Sequence, residues 1–357
     1  MGADLRPLAI AASAAKGNVT LRDAVRNYGT QPAGPFGVGF YFSSDNVFGG
    51  GDTFICSRPV SGLAAGTSNP ASGTITTICP IPAMAPGLYY VIVVDDYLNA
   101  VPETNEGNNT RSTTTRLTIG PDLRPTAVAA YSSGSNLVLR DQARNYGTVN
   151  AGAFTIGFYL STNNVYDGGD TEICTRSVSG LLAGTSNPLS GTQTTTCAIP
   201  AVAPGFYYVI VVDDTANTVA ETIETNNTRS TLGTVKIGPD LVPTAVSPSK
   251  SGSNLILRDQ ARNAGNVAAG PFEVGFYLSL NTALDGGDVF VCTRAIAGLD
   301  AGKTNPLSGV ATITCATPSG LPSGAYYVIA KDDNGNTVAE HTETNNNRAS
   351  IGTLLLP

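Results

Sequence analysis

Aspartate and asparagine side chains recur in a glycine-containing loop where they could bind calcium. Side-chain oxygens two to four residues apart around a glycine are typical of calcium-binding loops. The competing interpretation is a glycine turn in which each side chain accepts hydrogen bonds from its own backbone. We favour the turn, because Gly49 replaces the middle aspartate in the first of three such loops. The loop residues that could bind calcium are Asp45 and Asp52 in the first loop, Asn163, Asp167 and Asp170 in the second, and Asn281, Asp285 and Asp288 in the third.

Aspartates and glutamates also recur just after a long apolar segment. Two carboxylates on either side of a glycosidic bond can catalyse its hydrolysis, and carboxylates together with amide oxygens can bind calcium. A hydrolase needs a cleft, however, and three identical clefts in one chain are not expected. We favour a structural role, in which the glutamates accept backbone N–H groups, and keep calcium binding as the second interpretation. The residues concerned are Asp95 and Glu103, Asp213 and Glu221, and Asp332 and Glu340.

The sequence offers little else for catalysis. His341 is the only histidine, and the equivalent positions hold Thr104 and Thr222, so a Ser-His-Asp triad is not expected. No GxSxG elbow, P-loop or HExxH motif is present. We therefore expect a protein without enzyme activity and without a required cofactor, in which calcium is the one cofactor that the acidic residues could take.

Six cysteines form pairs with the same spacing along the chain. Zinc sites use closely spaced cysteine or histidine pairs, which these are not. We therefore predict one disulfide in each third of the chain, and loops of this length gain about 3 kcal/mol from closure. Disulfides form in oxidising compartments, which favours an extracellular or cell-surface protein. The predicted disulfides are Cys56–Cys79, Cys174–Cys197 and Cys292–Cys315.

Arginines recur four residues apart, with an aspartate between them. Arg22 and Arg26 flank Asp23, and a spacing of four residues on a strand places both arginines on one face. A ligand patch is one interpretation. We favour pairing of the arginines with glutamates or aspartates of the acidic segment that begins at Glu103, which we call the tail of the domain. The equivalent arginines are Arg140 and Arg144, and Arg258 and Arg262.

All these residues follow one internal repeat with a period of about 118 residues. The strings ADLRP, PDLRP and PDLVP begin the copies at Asp4, Asp122 and Asp240. The strand-like segment GLYYVIVVDD from Gly87 returns as GFYYVIVVDD from Gly205. The copies predict three domains, at residues 1–120, 121–238 and 239–357.

The elements that position the candidate residues are short strands separated by turns. Phe154, Ile156, Phe158 and Leu160 alternate with smaller or polar residues, as expected of a half-buried strand. Seven such strands in a domain of this size indicate an immunoglobulin-like sandwich. In copy two we predict strands at Asp122–Ala130, Asn136–Asn145, Phe154–Ser161, Glu172–Val178, Gly191–Ala198, Phe206–Asp213 and Arg229–Ile237.

The copies join through Gly-Pro linkers that are short and stiff. The predicted fold is therefore all-β, with three tandem immunoglobulin-like antiparallel β-sandwich domains forming an elongated rod on the order of 100 Å long. The net charge of −7 argues against a nucleic-acid partner, because such proteins carry a basic face. No apolar run is long enough for membrane insertion.

Several motifs of the repeat resemble the CARDB family, the cell-adhesion-related domain of bacteria and archaea. They are PDL at the start of a copy, RNYG at Arg26–Gly29 and Arg144–Gly147, GFYLS at Gly157–Ser161 and Gly275–Ser279, LLAG at Leu181–Gly184, and NTVAETIETNN at Asn217–Asn227. The resemblance implies an immunoglobulin-like sandwich found in tandem in surface or secreted proteins, and a role in adhesion or spacing. The paired cysteines are not part of the family's pattern.

These observations favour a non-catalytic extracellular array that acts as a cell-surface stalk or adhesin, with a protein or cell-surface ligand as its partner. A second hypothesis is a subunit of an extracellular filament, in which the partner is another copy, joined by end-to-end packing or strand exchange. A third is a carbohydrate-binding accessory region of a secreted enzyme. This third hypothesis requires exposed aromatic side chains, and the chain contains no tryptophan.

Overall fold

Each third of the chain folds into a sandwich of two antiparallel β-sheets. The computed structural model describes all residues from Met1 to Pro357. Besides strands and turns it contains one 3-10 helix, at Glu106–Asn108. The strands of domain 1 are β1 (Leu5–Ala15), β2 (Asn18–Asn27), β3 (Phe36–Ser43), β4 (Thr53–Val60), β5 (Ser68–Asn69), β6 (Ile75–Pro80), β7 (Gly87–Asp95), β8 (Thr110–Ser112) and β9 (Leu117–Ile119).

Domains 2 and 3 repeat these strands in the same order. Domain 2 contains β10 (Leu123–Ser133), β11 (Asn136–Asn145), β12 (Phe154–Ser161), β13 (Thr171–Val178), β14 (Ser186–Asn187), β15 (Gln193–Ala198), β16 (Gly205–Val212), β17 (Thr228–Ser230) and β18 (Val235–Ile237). Domain 3 contains β19 (Leu241–Ser251), β20 (Asn254–Asn263), β21 (Phe272–Ser279), β22 (Val289–Ile296), β23 (Thr304–Asn305), β24 (Ala311–Ala316), β25 (Gly324–Lys331), β26 (Asn347–Ala349) and β27 (Leu354–Leu356).

Two sheets of different topology face each other in every domain. In the first, which we call sheet A, β2 pairs with β1 on one side and with β5 and β6 on the other. In the second, sheet B, β3 pairs with β4 and β7, and β7 also pairs with β8 and β9. The strands of domains 2 and 3 pair in the same way.

The core of each domain lies between sheets A and B. Val19, Leu21 and Val25 of β2 are completely buried and pack with Phe40 and Val93 of sheet B. The even-numbered side chains of β2 point to the outside of the sandwich, because successive side chains of a strand alternate between its two faces. Domains 2 and 3 have equivalent cores.

A disulfide links the two sheets of each domain, as predicted. Cys56 lies on β4 of sheet B and Cys79 on β6 of sheet A, and the two sulfur atoms are bonded. The same bond joins Cys174 to Cys197 and Cys292 to Cys315, and no cysteine is free.

The predicted strands of domain 2 match strands of the structure to within three residues at their ends, except for the last one, and the short strand β14 was not predicted. β11 and β12 have the predicted bounds. The predicted strand Arg229–Ile237 is instead two short strands, β17 and β18, which pair with different parts of β16. A bend at Leu232 and Gly233 separates the two strands.

No helix of the structure combines the length and the apolar character that would be needed to cross a membrane.

Candidate functional site

The tail glutamate of each domain ties the end of the domain to its first strand. One carboxylate oxygen of Glu103 accepts the backbone N–H of Leu5, and the other accepts the side-chain amide of Asn109 at 2.7 Å. This is the structural role that the sequence favoured. The same bonds join Glu221 to Leu123 and Asn227, and Glu340 to Leu241 and Asn346.

The strand-end aspartates are buried carboxyl groups without a hydrogen-bond partner. Asp95 is 1% exposed, and neither of its carboxylate oxygens has a hydrogen-bond partner in the protein. Burial raises the pKa of Asp95 well above its usual range, and the nearby Asp23 carboxylate raises it further, whereas Arg58 lowers it. The equivalent Asp213 and Asp332 are also buried and unbonded.

The same physical causes act on the carboxyl groups of domains 2 and 3. Burial raises the pKa of Asp332 to about 8, with a further increase from the Asp259 carboxylate. Burial also raises the pKa of Glu221 and of Glu340 to about 7, although the hydrogen bonds that they accept oppose the shift. These groups therefore form a polar centre inside each sandwich that holds protons more tightly than carboxyls in water.

An arginine of sheet B neutralises the buried aspartate of sheet A. The Arg58 Nε donates to Asp23 Oδ1 at 2.9 Å, and its Nη1 donates to Asn69 Oδ1 at 3.1 Å. Asp23 is completely buried, so this ion pair joins the two sheets inside the sandwich. The same network consists of Arg176, Asp141 and Asn187 in domain 2, and of Arg294, Asp259 and Asn305 in domain 3.

This network corrects the expectation for the recurring arginines. We expected Arg22 and Arg26 to pair with tail glutamates or with aspartates, but neither forms an ion pair. The tail glutamate is occupied by a backbone amide, and Asp23 points inward to Arg58. Arg26 instead lies over the ring of Tyr28, with 5.0 Å between its Cζ and the ring centroid.

The acidic residues of the glycine loops mainly bond to their own backbone. Asp52 Oδ2 accepts the N–H of Gly49 at 2.9 Å, and Asp45 Oδ1 accepts the N–H of Val47 at 2.8 Å. Such short-range bonds are typical of Asx turns. The corresponding acceptors are Asn163, Asp167 and Asp170 in domain 2, and Asn281, Asp285 and Asp288 in domain 3.

Nowhere in the chain do three aspartate, glutamate, histidine or cysteine side chains converge in an arrangement that could hold a metal ion. The two groups of candidate calcium residues lie in different places. The residues of the glycine loops are on the surface. The buried polar centres contain Asp95 and Glu103, Asp213 and Glu221, and Asp332 and Glu340. Calcium binding by the loop residues or by the polar centres remains a prediction.

The joints between domains are held by a side chain of the following domain. Thr148 Oγ1 accepts the N–H of Gly120 and donates to the carbonyl of Thr118, both at 3.1 Å. The Asn266 side chain does the same at the second joint. Its Oδ1 accepts the N–H of Gly238 at 3.0 Å, and its Nδ2 donates to the carbonyl of Lys236 at 2.7 Å. We call these two side chains the joint clamps.

Apolar contacts accompany the joint clamps. Val149 of domain 2 packs against the core of domain 1, and Val267 of domain 3 packs against the core of domain 2. Ile199 and Val267 line one cleft of about 480 Å³ across the second joint. Gly120 has a φ of +146°, and a Cβ atom there would lie 2.7 Å from Pro86, so the joint requires glycine.

His341 lies at the second joint. Its ring is 6.4 Å from the ring of Phe206 in domain 2, and its Nδ1 is 2.9 Å from Thr342 Oγ1. Its Nε2 is 3.9 Å from Asp240 Oδ2. The histidine thus contributes to the contact between domains 2 and 3.

Domain 1 carries a row of aromatic side chains on the outer face of sheet B, which we call the aromatic strip. Tyr41 lies 4.9 Å from Phe48 and 5.3 Å from Phe54 between ring centroids, and Phe54 stacks on Tyr97 at 5.8 Å. Phe48 and Phe54 are more than 40% exposed. A Cβ atom at Gly37 would approach the Tyr97 ring to 2.6 Å, so this glycine makes room for the strip.

The aromatic strip was not predicted from the sequence. The signal that could have found it is the difference between copies, because Phe54 and Tyr97 correspond to Glu172 and Thr215 in domain 2. The joint clamps were also missed, since a single threonine or asparagine in a turn carries no pattern.

Comparison with known proteins yields one family. The model of the CARDB family matches the chain three times, at residues 3–113, 116–231 and 238–350. Comparison with curated proteins gave no significant match.

Among solved structures, the chain is similar to dimeric latent PorU from Porphyromonas gingivalis and to a marsupial T cell receptor. The identity to PorU is 10% with a TM-score of 0.20, over 99% of this chain and 34% of that one, so the chain spans about a third of the PorU chain. The identity to the receptor is 12% with a TM-score of 0.25, over 97% of this chain and 99% of that one.

Proposed function

Because the chain belongs to the CARDB family through three consecutive matches, we propose that it is a non-catalytic spacer or adhesin array of the cell surface. The three CARDB domains and their disulfides indicate an extracellular array of adhesion-type domains. The finer proposal is that this array holds its domains at fixed positions, so that a surface on one of them can reach a protein or cell-surface ligand.

The observation that carries this proposal is the construction of the joints. Each joint combines a clamp of two hydrogen bonds, an apolar contact and a glycine that no other residue could replace without a clash. A flexible linker needs none of these contacts, because glycine- and serine-rich linkers behave as random coils that connect domains without fixing the angle between them. A spacer, in contrast, gains from every contact that restricts the angle between domains.

The end faces of the chain bear on the filament hypothesis. The position of Val149 and Val267 is occupied in domain 1 by the exposed Gln31. The position of Ile81 and Ile199 is occupied in domain 3 by Thr317. The two faces that would meet in end-to-end packing therefore have polar residues where the internal joints have apolar ones, and this favours the spacer over the filament.

The aromatic strip supports a second candidate function, carbohydrate binding by domain 1. Exposed aromatic rings beside hydroxyl and carboxyl groups offer stacking surfaces and hydrogen bonds to sugar rings. The Tyr97 hydroxyl lies 3.3 Å from Ser57 Oγ at the end of the strip. Replacement Phe54→Ala should then weaken retention on a neutral polysaccharide, whereas Phe290→Ala at the equivalent position of domain 3 should not.

The first experiment is electron microscopy of the purified protein in negative stain, with calcium and then with a chelator. The proposal predicts separate particles of three beads in a row, unchanged by the chelator because the loop residues and the tail glutamates already accept hydrogen bonds from the protein. Long polymers would overturn it in favour of the filament. Particles that lose their straight shape only in chelator would assign the acidic loops to calcium.

A further inference from the structure

The strands of sheet A place arginines, and no acidic side chain, on the outer face of every domain, and the nearest aspartates, Asp4 and Asp122, lie just before the first strand. On β2, Arg22 and Arg26 point away from the core, opposite to the buried Val19, Leu21 and Val25. The strands of sheet A contain only three acidic residues, and all three are buried and bonded to arginines of sheet B. They are Asp23, Asp141 and Asp259. The chain as a whole is acidic, with a net charge of −7, so this face stands out from its surroundings.

The arginines on the second strand of each sheet A have no carboxylate partner. The ion pairs of the protein involve Arg6, Arg58, Arg124, Arg176, Arg294 and His341. The remaining arginines of sheet A are therefore free to bind an anion from outside. These arginines are Arg22 and Arg26, Arg140 and Arg144, and Arg258 and Arg262. The Nε atoms of Arg26 and Arg144 are buried and have no hydrogen-bond partner in the protein.

Strand register places like charges opposite each other on this face. Arg6 lies directly across from Arg26, and Arg124 lies directly across from Arg144. Like charges at opposite positions of two strands destabilise a sheet. One aspartate, Asp4 in domain 1, neutralises only one arginine of the pair. The second arginine lies over a tyrosine ring but has no carboxylate beside it, so its charge remains available to an anion from outside.

A hydroxyl group accompanies the first arginine of each pair. The register places Thr76 across from Arg22 in domain 1. A guanidinium and a hydroxyl side by side are donors suited to a carboxylate or sulfate group, and arginine can bind such groups with two parallel hydrogen bonds. The same arrangement joins Thr194 to Arg140, and Thr312 to Arg258.

We propose that the outer faces of sheet A bind an extended anionic polysaccharide, with one binding face on each domain. The two arginines of a strand are about 13 Å apart, because four residues of a strand span that length. This spacing suits a polymer whose carboxylate or sulfate groups are well separated. Duplex DNA is a poor match, since it carries one charge per ~1.7 Å of its axis and favours densely basic surfaces.

Three weak faces on one chain can act together. Linked sites raise the effective concentration of the polymer at the second and third face, so a modest affinity per domain becomes a firm attachment. An anionic polysaccharide would be the ligand of the proposed adhesive function. The choice of an extracellular polymer rests on that function, whereas the basic faces are observed independently of it.

The test measures binding of the full chain to immobilised dextran sulfate and to polygalacturonate, with neutral dextran and a short duplex DNA for comparison. The variant Arg22→Gln, Arg140→Gln and Arg258→Gln removes one charge from each basic face. The matched control Arg111→Gln, Arg229→Gln and Arg348→Gln removes equal charge from exposed arginines of β8, β17 and β26 in sheet B. A third variant replaces the same sheet A residues with lysine, which keeps the charge and loses the two-bond geometry.

The proposal predicts salt-dependent binding to at least one anionic polysaccharide, and no effect of the sheet A replacements on any retention by neutral dextran. The glutamine variant of sheet A should bind at least about tenfold more weakly, the lysine variant should fall in between, and the control should match the wild type. Equal losses in both glutamine variants, equally tight binding to DNA, or no binding to either anionic polymer would overturn it. Such a failure would leave the spacer proposal intact, because the shape of the particles in the electron microscope does not depend on the ligand.

Discussion

At the scale of single residues, each sandwich contains a buried polar centre that a purely hydrophobic core would not need. Asp95, Asp213 and Asp332 lie inside the protein without a hydrogen-bond partner, beside an ion pair that is already complete. An ionised carboxylate in such a place is unfavourable unless it is paired, so the group retains its proton instead. The charge state of these residues therefore links the stability of the array to pH.

The first prediction concerns Asp332, whose pKa is raised to about 8 by burial. The folded protein binds this proton more tightly than the unfolded chain, in which the group titrates near ~3.9. The contribution is fully present below the unfolded pKa and is lost as the pH rises toward 8. We expect the free energy of unfolding to decrease between about pH 4 and pH 8, and Asp332→Asn to remove part of this decrease and to stabilise the protein at pH 8 by about 1–3 kcal/mol.

Denaturant unfolding of the full chain at several pH values measures this effect. Asp300→Asn is the matched control, because Asp300 is an exposed aspartate of the same domain. A decrease in stability at pH 8 on replacement of Asp332, or the same change in the control, would show that the buried carboxyl is not the titrating group.

At the scale of the elements, the joints depend on contacts that cross from one domain to the next. The last strand of a domain, the Gly-Pro linker and the turn after the second strand of the following domain form one hydrogen-bonded unit. Gly147 belongs to the same unit, because a Cβ atom there would lie 2.2 Å from the carbonyl oxygen of Gly120. The turn RNYG, which also carries the family resemblance, is thus a part of the joint.

The second prediction concerns the first joint clamp. Thr148→Val keeps the shape of the side chain and removes the hydroxyl that accepts from Gly120 and donates to Thr118. A lost hydrogen bond of this kind costs about 1 kcal/mol, so we expect the amide proton of Gly120 to exchange about fivefold faster with solvent. Thr30→Val provides the control, because Thr30 is the equivalent residue of domain 1 and lies far from this joint in the sequence. Unchanged exchange in Thr148→Val would mean that the clamp does not hold the joint.

Much of the fold could be predicted from the sequence because it rests on periodic signals. The repeat, the alternation of Phe154 to Leu160 and the spacing of the cysteines all reflect rules that act along one strand or between equivalent copies. Partners of single side chains could not be predicted in the same way. Asp23 lies between two arginines in the sequence and pairs with neither, because alternation on the strand turns it toward Arg58 of the opposite sheet.

At the scale of the whole molecule, the charges and the apolar surfaces are distributed differently on the sides and ends of the domains. The outer faces of sheet A are basic, domain 1 alone carries the aromatic strip, and the end faces hold Gln31 and Thr317 where the joints hold valine and isoleucine.

The third prediction follows from these end faces. The double variant Gln31→Val and Thr317→Ile gives them the apolar residues of the internal joints, and we expect it to associate end to end at concentrations where the wild type is monomeric. Sedimentation velocity distinguishes the two states. Each single variant serves as a control, because it changes only one of the two faces that must meet. A double variant that stays monomeric would remove the argument that Gln31 and Thr317 oppose assembly.

The central claim is that stiff joints hold the three domains in an extended array, and small-angle X-ray scattering of the wild-type protein tests it most directly. We expect a maximum dimension on the order of 100 Å, since each domain has a radius of gyration near ~13 Å, and no change of this dimension with protein concentration. The scattering should also fit a single arrangement of the domains. A compact particle, a broad ensemble of domain arrangements, or a dimension that grows with concentration would contradict the account.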